Sequence, residues 1–146
     1  MTLLGALPTG VVRAYPRATE AVDTAGRVSV AELAAALAGP AGDRPRILQV
    51  GALGLYKRAH IPGAAYAGMA STADGLARLG RALAPIGRTA PVVVYCGCCP
   101  WAHCANVAPA FGLLRDRGYT AGRVLYLPSD FTTDWVDTGH PVAAGA

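Results

Sequence analysis

Apolar residues along this chain occur in short runs separated by turn residues, and the spacing within each run predicts a secondary structure. Residues 47–50, 91–95 and 124–127 are short, mainly apolar runs that predict buried strands, and residues 64–67 predict a further short strand. Leucines at helical spacing predict a helix over residues 72–83. Because the run at 91–95 is the most hydrophobic, we expect it at the centre of a sheet.

Two further helices are indicated by their end signals. Ser29 and Glu32 form a capping-box pattern, in which the hydroxyl and the carboxylate each accept a hydrogen bond from a backbone N–H, so a helix is expected after Ser29. Residues 102–118 predict another helix that ends at Gly118, and Pro109 within it predicts a kink or a late start. Strands and helices alternate, which predicts an α/β fold with a parallel sheet covered by helices on both faces.

The length and composition favour one well-packed domain. The chain has 146 residues, and its apolar fraction of 53% is too high for a disordered protein. We expect an irregular N-terminal arm over residues 1–26, one domain over residues 27–142 and a C-terminal tail over residues 143–146. The net charge of +4 comes from basic residues spread along the chain, and no apolar run has the length of a membrane helix. We therefore expect no nucleic-acid partner and no membrane partner.

The cysteine spacing and the N-terminus bear on the compartment. The N-terminus has apolar residues but no basic stretch ahead of them, unlike a secretory signal peptide. All four cysteines lie within residues 96–104, whereas a disulfide framework spaces its cysteines to bridge distant loops. Both features predict a cytoplasmic protein. The alternative is a periplasmic or secreted protein from which a signal peptide has been removed.

The cysteine-rich segment is the main candidate for chemistry. Cys96 directly follows the most hydrophobic predicted strand, and a predicted helix comes shortly after it. In a turn between a buried strand and a helix, several backbone N–H groups point outward and the helix dipole is positive, which lowers the pKa of a thiol. The sequence therefore predicts that Cys96 is a nucleophilic thiolate.

The remaining cysteines have more than one interpretation. Cys98 and Cys99 are either a resolving thiol pair, which attacks sulfur carried on Cys96 or forms a disulfide with it, or loop residues that contribute only backbone amides. Cys104 is expected to be buried by packing. A metal site that also includes His103 is a further alternative. Zinc usually takes its four ligands as two separated pairs, so a soft ion such as Cu(I) would suit this spacing better.

Four ring side chains are assigned from their surroundings in the sequence. Trp101 is either a pocket wall beside Cys96 or a core residue. Trp135 is expected in the core beneath the last segment. His60 is expected to be structural, with its ring hydrogen-bonded to backbone carbonyls, and His140 is expected to be exposed.

Several motifs occur in the order and spacing of a known family. They are Val28-Ser-Val-Ala-Glu-Leu33, residues 47–50, His60-Ile-Pro-Gly-Ala64, Val92-Val-Val-Tyr-Cys96, Gly118-Tyr119, Trp135 and Gly139-His-Pro-Val142. Over about residues 27–142 the chain resembles the rhodaneses, a family of single-domain sulfurtransferases. The Cys-Gly-Cys-Cys-Pro-Trp segment resembles the active loop of a bacterial subgroup of rhodanese-like proteins.

The resemblance implies a rhodanese-like five-stranded parallel sheet flanked by helices on both faces, and it implies sulfurtransferase activity. By position Cys96 is the nucleophile. The implied active loop comprises Gly97, Cys98, Cys99, Pro100, Trp101 and Ala102. Cys96 would take the outer sulfur from thiosulfate or a persulfide and pass it to a thiol or cyanide. The implied partners are a small sulfur-containing anion or persulfide donor and a thiol acceptor, or a partner protein in a sulfur relay. No cofactor beyond the covalent persulfide, and no metal, is implied.

Departures from the family pattern bear on the donor. Gln49 and Gly51 stand where many members have Asp and Arg, and the active loop lacks the arginine that binds the thiosulfate oxygens. Lys57 and Arg58 at the rim of the implied site, and His103 beside the loop, are candidate accessory residues; a solvated charge pair is the alternative for the first two. We therefore predict poor use of thiosulfate. The alternatives to an enzyme are a thiol-redox or sulfur-carrier protein that uses the cysteine cluster, and a soft-metal binding module.

Overall fold

A computed structural model of the chain describes residues 18–146. Five strands form one parallel sheet with the order β1-β5-β4-β2-β3. The strands are β1 (Arg27–Val28), β2 (Arg46–Gln49), β3 (Ala65–Tyr66), β4 (Val92–Tyr95) and β5 (Gly122–Leu125). All four residues of β4 are buried, and the strand is central, as its hydrophobic run predicted.

Helices cover both faces of the sheet. They are α1 (Ala18–Ala21), α2 (Val30–Ala38), α3 (Leu53–Arg58), α4 (Ala73–Leu83) and α5 (Val107–Asp116). On one face, Val92 and Val94 of β4 pack with residues of α4 and α5. On the other face, Val93 and Tyr95 pack with Leu33 of α2 and with the C-terminal π-helical turn Thr132–Val136. The predicted parallel sheet with helices on both faces is confirmed.

Helix ends agree in part with the signals in the sequence. Ser29 is the N-cap of α2, and its Oγ accepts a hydrogen bond from the backbone N–H of Glu32 at 3.1 Å. The other half of the expected capping box does not form, because the Glu32 carboxylate pairs with Arg123 at 2.9 Å instead. Gly118 has a φ of 77°, which favours glycine, and it follows α5 as predicted.

Two predicted boundaries differ from the structure. The expected arm over residues 1–26 lies partly outside the described residues, but its last part contains α1 and a 3₁₀ turn at Thr24–Gly26, which pack on the domain through Ala18 and Val22. The helix predicted over 102–118 is divided into a 3₁₀ turn at Trp101–His103 and α5. Pro109 lies in the first turn of α5, where a missing N–H costs nothing, so the late start is the correct alternative.

Helix α3 was missed because it is short and contains a glycine, so it shows no sustained helical period. Across residues 18–146, each helix is too short or too polar to cross a bilayer.

Candidate active site

The cysteine-rich loop begins at the carboxyl end of the central strand. Cys96 follows the last residue of β4, and the chain then turns through the 3₁₀ segment Trp101–His103 before α5 starts at Val107. Neighbouring β2 ends beside it, and the backbone N–H of Val50 donates to the carbonyl of Tyr95 at 2.9 Å. Ligands of open parallel sheets bind at this edge, so the loop occupies the usual position of a site.

The turn brings all four cysteine sulfurs together. The Sγ atoms of Cys96 and Cys98 are 3.1 Å apart, and those of Cys98 and Cys99 are 3.0 Å apart. With Cys104 included, all four sulfurs lie within 4.8 Å of one another. Cys96 and Cys104 are buried, Cys99 is half-buried and Cys98 is exposed, so one side of the cluster is open to solvent. The expected burial of Cys104 is confirmed, but its sulfur also belongs to the cluster.

Hydrogen bonding among the thiols separates their pKa values. Interaction with the neighbouring sulfurs, first that of Cys104 and then those of Cys98 and Cys99, favours the neutral Cys96 thiol, and burial adds to this, so the pKa of Cys96 is raised well above its usual range. The hydrogen bond from Cys96 lowers the pKa of Cys98 to about 5 and that of Cys104 to about 7. The thiol network therefore favours negative charge on the sulfurs next to Cys96, that of the exposed Cys98 among them.

This distribution differs from the expected thiolate at Cys96. The backbone N–H groups that stabilise charge in the loop are directed elsewhere: that of Cys98 lowers the pKa of its own thiol, and those of Asn106 and Val107 lower the pKa of Cys104. The positive end of α5 therefore acts on Cys104, because the helix begins at Val107 and not at residue 102.

Asn106 is a site residue that the sequence analysis missed. Its buried side chain donates from Nδ2 to the Sγ of Cys96 at 3.3 Å and lies 4.0 Å from the Sγ of Cys98. Its Oδ1 accepts a hydrogen bond from the backbone N–H of Ser71 at 2.8 Å. An Asn just before an apolar helix usually predicts an N-cap, but this side chain makes no capping bond to α5. The position of Asn106 before an apolar run therefore gives no indication that its side chain contacts Cys96.

Gly51, which lies just after β2, leaves room for the sulfur cluster. A Cβ on Gly51 would lie 3.1 Å from the Sγ of Cys96, so the glycine allows the nucleophile candidate to pack against the backbone. Gln49 is almost fully buried, and its Oε1 has no hydrogen-bond partner within the described residues. These are the positions at which the family often has Asp and Arg. In this chain they contribute close packing and one unpaired amide oxygen.

A cleft of about 50 Å³ lies on the other side of the loop. It is lined by Gln49, Leu55, Arg58, Ala59, Gly97, Phe131 and Thr132. Arg58 is thus brought next to the active loop by α3. Lys57 is not part of the lining, and its carbonyl accepts a hydrogen bond from the N–H of Gly145 at 2.8 Å. His103 is exposed and lies outside both the cleft lining and the sulfur cluster.

The rings have mainly structural positions. Trp101 is buried in the same apolar cluster as Cys96 and Cys104, and its ring meets Tyr126 edge-on at 5.1 Å, so it packs as a core residue on the inner side of the cysteines. The guanidinium of Arg27 lies 5.2 Å from the Trp101 ring. The exposed loop residues Pro100 and Ala102 flank it.

The assignments of the remaining rings agree with the structure except for one. His60 is buried, and its Nδ1 lies 2.7 Å from the carbonyl of Tyr56, which supports the predicted structural role. Trp135 is fully buried and donates from Nε1 to the carbonyl of Pro141 at 2.9 Å. The expected exposure of His140 is wrong: its ring is half-buried and packs against that of Trp135 at 4.9 Å.

Comparison with known proteins supports the fold assignment. No protein-family model matches the sequence, and no curated protein matches it significantly. Among solved structures, a rhodanese-like domain from Anabaena sp is 23% identical with a TM-score of 0.58, over 82% of this chain and 79% of that one. A protein from Bacillus halodurans is 16% identical with a TM-score of 0.62, over 82% of this chain and 77% of that one.

A thiosulfate sulfurtransferase from Pseudomonas aeruginosa is 28% identical with a TM-score of 0.55, over 82% of this chain and 19% of the larger protein. These matches and the β1-β5-β4-β2-β3 parallel sheet lead to the same assignment. The chain therefore has the rhodanese-like fold.

Proposed function

We propose that this domain is a sulfurtransferase that carries sulfane sulfur as a persulfide on Cys96. The observation that supports the proposal most directly is the position of the Cys96 sulfur at the carboxyl end of the central strand, within 3.3 Å of the Asn106 amide and 3.1 Å of a second thiol. The likeness to a thiosulfate sulfurtransferase is consistent with this chemistry. Because its sulfur lies 3.1 Å from that of Cys96 and its pKa is lowered, the Cys98 thiolate is the base nearest to the Cys96 thiol.

The transfer occurs in two displacement steps. As Cys96 attacks the sulfane sulfur of a donor, its proton passes across the 3.1 Å contact to the Cys98 thiolate. The new S–S bond forms on Cys96, and sulfite leaves if the donor is thiosulfate, or a thiolate leaves if the donor is a persulfide. An acceptor thiolate then attacks the outer sulfur and takes it away as a persulfide, and Cys96 recovers its proton from Cys98.

The charges around the site favour a weakly charged donor. The active loop carries no cation to neutralise the sulfonate of thiosulfate, and Arg58 reaches the site only from the side of the cleft, where it is exposed. A missing charge-assisted hydrogen bond weakens binding by about 1.5–3 kcal/mol, or roughly 10- to 150-fold. We therefore propose an organic or protein persulfide as the better donor and a thiol as the acceptor.

A thiol-redox function is the second candidate, and the 3.1 Å contact between Cys96 and Cys98 favours it. In this reaction the Cys98 thiolate attacks the inner sulfur of the Cys96 persulfide. A Cys96–Cys98 disulfide forms and hydrosulfide leaves, so the sulfane sulfur is reduced while the two cysteines are oxidised. An external dithiol then reduces the disulfide and restores the loop.

Intact-protein mass spectrometry tests both candidates. The reduced protein is incubated with thiosulfate or with a small-molecule persulfide, and the gain of one sulfur atom is followed with time. We expect wild type to gain sulfur faster from the persulfide, Cys96→Ser to gain none, and Cys98→Ser to gain it more slowly but hold it longer. Circular dichroism confirms that each variant is folded. Undiminished uptake by Cys96→Ser would refute the assignment, and loss of two hydrogens by wild type but not Cys98→Ser would establish the redox reaction.

A further inference from the structure

The four cysteines form a cluster that sulfur transfer through one of them does not explain. Sulfur transfer uses Cys96, and release of the sulfur as hydrosulfide uses Cys98. The sulfurs of Cys99 and Cys104 have no part in either reaction, yet all four sulfurs lie within 4.8 Å of one another. Within residues 18–146 this is the single cluster of three or more cysteine, histidine or acidic side chains whose ligand atoms converge in this way. Convergence of four soft ligands on one point is what a thiophilic metal ion requires.

The sequence spacing had argued against zinc, because its ligands usually come as two separated pairs. In the structure, the 3₁₀ turn at Trp101–His103 brings the later cysteine, Cys104, back to the other three. The N–H of Cys104 donates to the carbonyl of Trp101 at 3.4 Å, which turns the chain back so that the Cys104 sulfur faces the loop. A continuous helix from residue 102 would instead have directed Cys104 along the helix surface.

The distances fit a tetrahedral ion. With Zn–S bonds of about 2.3 Å, the sulfurs of a tetrahedral site are about 3.8 Å apart. In the structure the closest pairs are at 3.0 and 3.1 Å and no pair exceeds 4.8 Å, so the sulfurs bracket the required separation. Ligation needs shifts of about 1 Å or less, which side-chain rotation of the exposed Cys98 and half-buried Cys99 can supply.

The surroundings also suit bound thiolates. The Asn106 amide donates to the Cys96 sulfur at 3.3 Å, which is the kind of second hydrogen bond that orients a metal ligand. The site is closed on one side by the buried Cys96 and Cys104 and open on the other through the exposed Cys98, so an ion has a path of entry.

We propose that the four cysteine sulfurs form a tetrahedral thiolate site for a divalent d¹⁰ ion, Zn²⁺ or its analogue Cd²⁺. Binding displaces the thiol protons and involves no change of oxidation state. One electron pair of the Cys96 thiolate then forms the bond to the metal, which makes that sulfur a weaker nucleophile. One consequence, which rests on the proposed function, is that a bound metal ion slows persulfide formation at Cys96.

Metal titration of the reduced, metal-free full chain tests the site. Native mass spectrometry with Zn²⁺ alone measures stoichiometry, competition with a chelator measures affinity, and Cd²⁺ reports thiolate ligation through its ultraviolet charge-transfer absorption. We expect one ion per chain and an absorption intensity of four thiolates. Cys104→Ser is expected to weaken Zn²⁺ binding about 100-fold or more, since even the loss of a supporting residue costs 10- to 100-fold. His103→Ala, which changes the exposed neighbour outside the cluster, should bind as wild type does.

The proposal is overturned if wild type retains no Zn²⁺ at equimolar concentration, if Cd²⁺ gives the absorption of two thiolates or fewer, or if Cys104→Ser binds as tightly as wild type. The Cd²⁺ arm uses wild type only, so it holds even if the variant does not fold. Sulfur uptake distinguishes this proposal from the proposed function. Sulfur transfer without metal binding refutes the metal site alone, and metal binding without sulfur uptake by the metal-free protein refutes the sulfurtransferase alone.

Discussion

Asn106→Ala tests whether the buried amide acts on the reacting sulfur. Its Nδ2 is 3.3 Å from the Sγ of Cys96, and in the persulfide form that sulfur carries or adjoins a negative charge. Hydrogen bonds to charged groups contribute about 1.5–3 kcal/mol, and the length of this N–H···S contact places it at the low end. We therefore expect persulfide formation to slow roughly 10-fold, since about 1.4 kcal/mol corresponds to that factor.

The same substitution also removes the acceptor for the backbone N–H of Ser71, at 2.8 Å from Oδ1. Because Ser71 is exposed, its N–H can bond to water, and the free energy of unfolding should fall by about 1 kcal/mol. Urea denaturation measures this change, and single-turnover mass spectrometry measures the rate of sulfur uptake. The two assays separate a loss of stability from a loss of reactivity.

Asn106→Asp is the matched comparison. It keeps an oxygen that can accept from the Ser71 N–H, but it replaces the donor to Cys96 with a second oxygen and adds negative charge beside the sulfur. Uptake by this variant should be at least as slow as that of Asn106→Ala. If Asn106→Asp takes up sulfur as fast as wild type, Asn106 serves only to brace the segment at Ser71, and the reasoning about the sulfur is wrong.

Two further substitutions test the cleft and the packing. Arg58→Ala should raise the KM for thiosulfate roughly 5-fold with kcat little changed, because an exposed charge contributes up to about 1 kcal/mol to binding. Lys57→Ala is the control, because Lys57 lies outside the cleft lining, and its KM should not change; equal effects of the two substitutions would refute the role of Arg58. Gly51→Ala should slow sulfur uptake, because its Cβ would lie 3.1 Å from the Cys96 sulfur. Gly54→Ala in α3, which has open space around it, should leave the rate of sulfur uptake unchanged and the free energy of unfolding equal or higher. Equal rates of uptake by the two variants would contradict the close packing at Gly51.

The main elements of the fold were predictable because their signals are local. The apolar run of β4 placed Cys96 at a strand end, the Ser29 hydroxyl placed the start of α2, and Pro109 correctly offered a late start for α5. Elements with little periodicity were missed. Helix α3 spans less than two turns and contains a glycine, and α1 consists of a single turn.

The candidate site was predictable in its position but not in its internal arrangement. The sequence located the cysteines and the departures at Gln49 and Gly51, but it gave no reason to expect that the Asn106 side chain would turn away from its helix and reach the Cys96 sulfur. The pKa order was also beyond local reasoning. It depends on the convergence of four sulfurs, and convergence is a property of the tertiary structure.

The residue at which α5 begins accounts for these differences between the predicted and the observed site. Because the helix begins at Val107, Cys104 lies ahead of it and the backbone N–H groups of Asn106 and Val107 stabilise the Cys104 sulfur. At this helix boundary the Asn106 side chain makes no capping bond to α5 and donates to the Cys96 sulfur instead. Pro109 imposes this boundary, because a helix extending further back would place the proline in its interior and lose a hydrogen bond there. A single proline, at a position with no sulfur contact of its own, thus limits how early α5 can begin and so leaves Cys104 ahead of the helix, where its sulfur joins the cluster.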